Sequence, residues 1–81
     1  MNEREQSSLP SDETLDKLRQ DQAIVRVVRD SYESNDVIGK IMGWDDEVLL
    51  IRKERGTVLK VKRMYPVQDS MEPRMEPYKK E

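Results

Sequence analysis

The side chains best suited to chemistry are the basic ones between Arg52 and Arg63. This stretch holds six of them against a single acid, Glu54: Arg52, Lys53, Arg55, Lys60, Lys62 and Arg63. Clustered positive side chains hold the phosphates of a nucleic acid by releasing its counterions. The pattern predicts a phosphate-binding hairpin. The simplest alternative is a solvated strand face whose lysines discourage edge-to-edge aggregation.

The region before this hairpin carries the opposite charge. Between Asp30 and Glu47 the acids face a single base, Lys40; these acids are Asp30, Glu33, Asp36, Asp45, Asp46 and Glu47. The formal net charge of −2 hides this segregation. Because the basic hairpin of one copy complements the acidic region of the next, a homo-oligomer is a third hypothesis.

Two aromatic residues, Trp44 and Tyr65, lie near the basic stretch in the sequence. Aromatic rings beside a positive surface stack on the bases of single-stranded RNA, so both belong to the predicted nucleic-acid site. The alternative for Trp44, the only tryptophan, is that it covers the core, as a tryptophan beside a turn usually does in a small domain.

The sequence lacks the residues that other kinds of chemistry require. The sequence has no cysteine and no histidine, which removes disulfides, zinc sites, thiol nucleophiles and Ser-His-Asp triads. The acids Asp45, Asp46 and Glu47 lack the spacing of an EF-hand loop, and nothing would separate their pKa values for acid–base catalysis. The sequence therefore predicts a protein that is not an enzyme and binds no metal or cofactor.

The composition predicts one small domain with polar ends. Of 81 residues, 35% are hydrophobic and 40% are charged, with a mean hydropathy of −0.95. The apolar residues are concentrated between Ile24 and Val67, so we expect a flexible arm over residues 1–10, a folded unit over 11–68 and a disordered tail over 69–81, where Met-Glu-Pro occurs twice. No apolar run approaches the ~20 residues that cross a bilayer, and the first residues lack the pattern of a secretory signal. A cytoplasmic protein without membrane contact is expected.

The periodicity predicts a short helix followed by strands. Ser11 is a suitable N-cap for a helix whose face carries Leu15 and Leu18. That helix is too short to be stable alone and needs an apolar surface. Strands are expected at residues 24–29, 37–42, 48–52 and 57–63, with a fifth strand or a turn at 64–68. Gly39 marks a bend or bulge. Together these features predict a mainly β fold, a small and strongly bent barrel with an N-terminal helix.

The order of these elements resembles the Sm-like fold. The residues that carry the resemblance are Gly39, Ile41, Trp44 and Asp45, followed by Val48, and it extends over residues 11–68. Because Sm-like proteins commonly form rings and bind single-stranded RNA, the resemblance implies both. A Src-homology-type barrel, with a similar number of strands, is the close alternative.

The chain departs from the Sm-like pattern at two positions. The RNA-contacting asparagine of that family aligns near Leu49, and its Arg-Gly motif is replaced by Arg63 followed by Met64. Two functions are therefore expected. The first is single-stranded RNA binding through the basic hairpin. The second is a protein–protein adaptor or oligomer subunit, acting through an open edge or the Met-Glu-Pro tail.

Overall fold

The fold is mainly β, as predicted. The computed structural model describes residues 10–76. Its elements are α1 (Asp12–Gln20), β1 (Ile24–Val27), a short 3₁₀ turn (Glu33–Asn35), β2 (Val37–Trp44), β3 (Val48–Arg52), β4 (Val58–Lys62) and β5 (Val67–Asp69). The helix and the first four strands lie where the sequence predicted them. The segment at 64–68 forms both a turn and the start of the fifth strand.

The strands form one antiparallel sheet in the order β4-β3-β2-β1-β5. From β1 to β4, each strand pairs with the strand that follows it in the sequence. The chain then returns across the sheet, and β5 pairs with β1. β4 and β5 are thus opposite edges of the sheet. The sheet is not closed, and the predicted barrel is not formed. The apolar alternation that suggested a barrel reports which face is buried, whereas closure also requires the two edge strands to pair with each other.

Strand β2 carries both a close approach and a bulge. A Cβ atom on Gly39 would lie 2.7 Å from Cγ2 of Ile51 and nearer still to the carbonyl oxygen of Arg52. The glycine therefore lets β3 approach β2 closely. The bulge comes later, where Met42 is the extra residue between the pairs Ile41–Ile51 and Gly43–Leu50. The sequence placed the bend or bulge at Gly39, and the structure puts the bulge at Met42.

The core lies between the inner face of the sheet and α1. Its buried members are Leu15, Val25, Val27, Val37, Ile41, Leu49, Ile51 and Val61. Ser11 caps α1 as predicted, with its Oγ accepting a hydrogen bond from the Thr14 backbone N–H at 3.1 Å. Leu15 is fully buried and Leu18 packs at the margin of the core. The helix is therefore held by its own sheet.

Within residues 70–76, Pro73, Arg74 and Met75 make contacts with the rest of the fold. The Gln68 side chain donates to the carbonyl of Pro73 at 3.0 Å and accepts from the N–H of Met75 at 2.8 Å. Asp69, where the predicted tail begins, is the last residue of β5, and Pro73 and Met75 contact Gln68. The prolines prevent regular structure but leave side-chain contacts available. Residues 77–81 of the tail and 1–9 of the arm lie outside the described residues.

Candidate nucleic-acid interface

Strand alternation sorts the basic side chains onto the outer face of the sheet. In β4, Leu59 and Val61 turn inward, whereas Lys60 and Lys62 are exposed on the other face, as the sequence predicted. Lys40 of β2 and Arg52 of β3 are exposed on the same outer face. We call these four residues, Lys40, Arg52, Lys60 and Lys62, the outer basic face.

Two members of the outer basic face lie directly opposite each other. Lys40 pairs with Arg52 across β2 and β3. Like charges at opposed positions of a sheet destabilise it. The same cross-strand row continues to Ile24 on β1 and Val58 on β4, which are 43% and 49% exposed. The row is thus a pair of cations between two exposed apolar side chains, and a bound anion would relieve the repulsion.

No carboxylate within residues 10–76 forms an ion pair with the outer basic face; the acids with cationic partners bind elsewhere. Asp36, whose side chain is 1% exposed, accepts from Arg26 at 3.2 Å and from Nε of Arg74 at 2.7 Å. Asp30 accepts from the N–H of Tyr32 and from the side chain of Asn35, both at 2.8 Å. These acids of the predicted acidic region serve the chain's own loop and tail.

Asp45 caps the turn between β2 and β3 and lies within the electrostatic reach of Lys60. Its Oδ1 accepts from the backbone N–H groups of Val48 at 2.9 Å and Glu47 at 2.8 Å. These two hydrogen bonds, in that order, hold the pKa of Asp45 below its usual range, and the charges of Lys60 and Arg63 add to the effect. Asp45 therefore caps the β2–β3 turn and offsets part of the field of Lys60.

Arg63 does not belong to the outer basic face, although the sequence placed it in the site. Its Nη1 donates to the carbonyl of Asp45 at 2.8 Å. Its Nη2 forms an ion pair with Asp12 of α1. Arg63 thus connects the end of β4 to the helix and the β2–β3 turn. A phosphate would have to compete with Asp12 for it.

The two predicted stacking residues pack against the core. Trp44 and Tyr65 are both half-buried and contact the core cluster. The indole N–H of Trp44 donates to Oδ1 of Asp12 at 3.1 Å. The alternative stated for Trp44, that it covers the core, fits this position. Neither ring lies free on the outer basic face.

Lys53 and Arg55 occupy the hairpin turn between β3 and β4. The N–H of Lys53 donates to the carbonyl of Thr57 at 2.7 Å, and the N–H of Gly56 donates back to the carbonyl of Lys53 at 2.8 Å. Gly56 has φ of +97°, which completes a three-residue hairpin loop. The two cations are exposed at the tip, beside the outer basic face but not on it.

Sequence reasoning missed two features of the site. In the sequence, Lys40 is the one base of an acidic region. The alternation of side chains along β2 could have indicated that Lys40 lies on the same face as Arg52. The cluster of Arg26, Asp36 and Arg74 gave no sequence signal, because Asp36 and Arg74 are far apart in the chain. Nε of Arg26 is buried in this cluster without a hydrogen-bond partner.

A cleft lies at the end of β4, and Lys62 of the outer basic face belongs to its lining. It measures about 540 Å³ and is lined by Pro10, Asp46, Glu47, Val48, Lys62, Arg63 and Met64. Its lining holds two acids, Asp46 and Glu47, and two bases, Lys62 and Arg63, so the cleft has no single charge preference. Residues 10–76 contain no group of three or more acidic side chains placed to hold a metal ion.

No protein-family model, curated protein or solved structure matches this chain. Within the described part, no helix has the length and apolar character needed to span a bilayer. The assignment of a function therefore depends on the residues of the site.

Proposed function

We propose that this protein is a non-catalytic binding module that holds the backbone of single-stranded RNA on its outer basic face. One observation carries the proposal: Lys40 and Arg52 are opposed on the same face as Lys60 and Lys62, with no ion-pair partner among residues 10–76. Phosphates would neutralise this repulsion and release counterions. The absence of histidine and cysteine from the sequence supports a non-enzymatic role.

We propose that the fold is of the Sm-like type. The short helix, the bulged strand β2 and the order of the five strands support this proposal, and the sheet is open. The mode of RNA binding would nevertheless differ from that family, since Leu49 is fully buried and Arg63 is held by Asp12. The outer basic face replaces the family's contacts in our proposal. A cytoplasmic location stays a prediction from the sequence.

The proposal implies that base preference is weak. Trp44 and Tyr65 are engaged with the core, so stacking on these rings does not contribute. The exposed apolar side chains beside the cations, Ile24 and Val58, offer bases only non-directional contacts. Phosphate contacts position a nucleic acid but carry no sequence information. We expect similar affinities for RNAs of different sequence.

Two charge-matched double variants test the proposal. Lys40→Gln with Arg52→Gln removes two charges from the outer basic face. Lys53→Gln with Arg55→Gln removes two charges from the hairpin tip. Fluorescence anisotropy of a labelled 15-nucleotide RNA would measure both affinities at the same salt concentration. We expect the first variant to weaken binding about tenfold and the second to weaken it much less.

Equal losses in the two double variants would contradict the proposal, because they would indicate general charge attraction. Absence of RNA binding by the wild-type protein at low salt would contradict it outright. Circular dichroism of each variant shows whether the sheet is intact. Since all four substituted side chains are exposed, the fold should survive each change.

A protein-interaction module is the second candidate function, either an adaptor or a subunit of a homo-oligomer. The observation that favours it is the position of β4 at an edge of the sheet. The Met-Glu-Pro tail is a weaker candidate, because Arg74 and the backbone of Met75 are bound to Asp36 and Gln68 of the same chain. A partner would have to displace these contacts.

A further inference from the structure

The open edge of β4 presents a defined set of backbone groups. The N–H of Lys53 donates to Thr57, and the N–H of Arg63 donates to Glu47. Both are pairs of the β3–β4 register, in which hydrogen-bonded and non-hydrogen-bonded pairs alternate. Leu59 and Val61 therefore bond to β3. The backbone groups of Val58, Lys60 and Lys62 point to the open edge.

These edge groups are accessible in the described structure. No other strand of residues 10–76 pairs with β4 on that side. The side chains of Val58, Lys60 and Lys62 are all exposed. The carbonyl of Lys62 accepts a long hydrogen bond from Tyr65, at 3.4 Å, which marks the end of the open stretch. The open edge thus offers three N–H groups and the carbonyls of Val58 and Lys60.

The side chains beside the open edge define which strand fits there. A strand added to β4 would place alternate residues next to Lys60 and Lys62 on the outer face. Its other residues would lie next to Leu59 and Val61, which turn towards the core. Opposite charges stabilise cross-strand pairs, and apolar residues extend an apolar face. The matching segment alternates carboxylates with apolar residues.

The same charges oppose pairing between two copies of β4. A two-fold antiparallel pair centred on Lys60 would set Lys60 of each copy against Lys60 of the other. Like charges in that position are destabilising. The chain's own tail is also a poor occupant, because Pro73 lacks an N–H and its carbonyl is bound by Gln68. Neither a second β4 in this register nor the chain's own tail fits the open edge, whereas an acidic strand matches its two lysines.

We propose that β4 captures an extended acidic segment of a partner protein as a sixth strand, through the backbone of Val58, Lys60 and Lys62. This inference rests on the second candidate function; because Lys60 and Lys62 also belong to the outer basic face, the peptide and RNA would compete for them. Strand addition supplies affinity through backbone hydrogen bonds and specificity through alternate side chains. The lysines of the edge discourage self-association and select carboxylates.

The first test removes one edge N–H without changing the charge. Val58→Pro deletes an N–H that makes no bond to β3, a position where an edge strand tolerates proline. Val58→Ala is the matched control. The probe is a fluorescein-labelled peptide with a Glu-Val-Glu-Val-Glu core, measured by anisotropy. We expect Val58→Pro to weaken peptide binding about tenfold relative to Val58→Ala.

The second test reverses the charge of the peptide that β4 is expected to bind. A misfolded variant would lose binding but would not gain affinity for a peptide of the opposite charge. Lys60→Glu with Lys62→Glu should lose the Glu-Val probe and gain a Lys-Val-Lys-Val-Lys probe. An acidic probe methylated on alternate amide nitrogens should fail to bind wild type, because it cannot complete the ladder. Failure of wild type to bind the acidic probe would overturn the proposal and leave the lysines as protection against aggregation.

Self-association would also overturn the proposal. If sedimentation shows an oligomer that Val58→Pro dissociates, a second copy occupies the open edge. Unchanged peptide binding by Val58→Pro would mean that the lysines attract the peptide by charge alone. Loss of RNA binding in Lys40→Gln with Arg52→Gln does not bear on this result, since neither residue belongs to the open edge.

Discussion

Gly39 shows how one residue sets the shape of the surface that carries the site. Its missing side chain lets β3 approach β2 closely, next to the pair formed by Lys40 and Arg52. Gly39→Ala should destabilise the protein by about 1–3 kcal/mol, because the new methyl group meets the backbone of Arg52. Urea denaturation followed by Trp44 fluorescence measures this loss.

Gly43→Ala is the matched control for Gly39→Ala. A Cβ on Gly43 meets no atom within 4 Å. Gly39 and Gly43 lie on the same strand. Both substitutions therefore add one methyl group and reduce the flexibility of the unfolded backbone by a similar amount. Equal stability of the two variants would contradict the close approach of β3.

The lowered pKa of Asp36 predicts how the stability of the protein depends on pH. Burial raises the pKa of its carboxyl, but hydrogen bonds from Arg74 and Arg26 outweigh burial, and the pKa is lowered overall. Because its pKa is lower in the folded than in the unfolded state, the stabilisation is complete above about pH 4 and is lost as the pH falls further. Asp36→Asn should lose about 2–3 kcal/mol at pH 7 and show a shallower acid dependence than wild type.

Asp16→Asn is the control for the pH experiment. The pKa of Asp16 is also lowered, chiefly by its hydrogen bond from Arg19, but this pair is on the surface of α1. Surface pairs contribute little to stability. Chemical denaturation between pH 2.5 and 7 compares the variants. A wild-type curve parallel to that of Asp36→Asn would contradict the ionised cluster.

At the scale of elements, α1 depends on the sheet. Nine residues do not form a stable helix in water, and Leu15 is its fully buried side chain. Leu15→Ala should cost about 2–4 kcal/mol and release the helix from β2. Urea denaturation gives the loss of stability, and amide exchange of α1 shows whether the helix opens.

Leu18→Ala provides the comparison for Leu15→Ala. Leu18 lies on the same face of α1 but is only half-buried. Its truncation should cost clearly less, because it removes less apolar area from the core. A cost equal to that of Leu15→Ala would contradict the described docking of the helix.

The elements were largely predictable from the sequence, since their signals are local. Ser11 as N-cap, the alternation of Lys60 and Lys62 with Val61, and the turn at Gly56 each depend on a few neighbouring residues. The sequence placed the bulge at Gly39 and the structure has it at Met42. Glycines lie on both sides of Met42, at positions 39 and 43, and the sequence does not distinguish which of them is next to the bulge. The open sheet was missed because pairing between edges is not a local property.

At the scale of the molecule, the outer basic face shares Arg52, Lys60 and Lys62 with the site that the sequence predicted. Sequence clustering placed Arg63 and the two aromatic rings in the site, but tertiary contacts engage them elsewhere. The same clustering omitted Lys40, which joins the surface only through strand pairing. The acidic region gave no indication that Asp36 would be buried by a residue of the tail, Arg74. Charge counts along the chain cannot show which charges neutralise one another in the fold.

In the folded chain, the acids of the acidic region and the bases of the outer basic face make different kinds of contact. Some acids of the predicted acidic region are used internally, as Asp36 binds Arg26 and Arg74 while Asp45 caps a turn. The outer basic face keeps its positive charge without ion-pair partners in the described part of the chain. A net charge near zero thus coexists with a surface able to attract a polyanion.

The most direct test of the central claim is the salt dependence of RNA binding. Anisotropy titrations of a labelled single-stranded RNA at several salt concentrations give the slope of log affinity against log salt. Four phosphate contacts by the outer basic face predict a slope of about −3 for the wild type and about half that for Lys40→Gln with Arg52→Gln. A wild-type slope near zero, or the same slope in both proteins, would contradict the account.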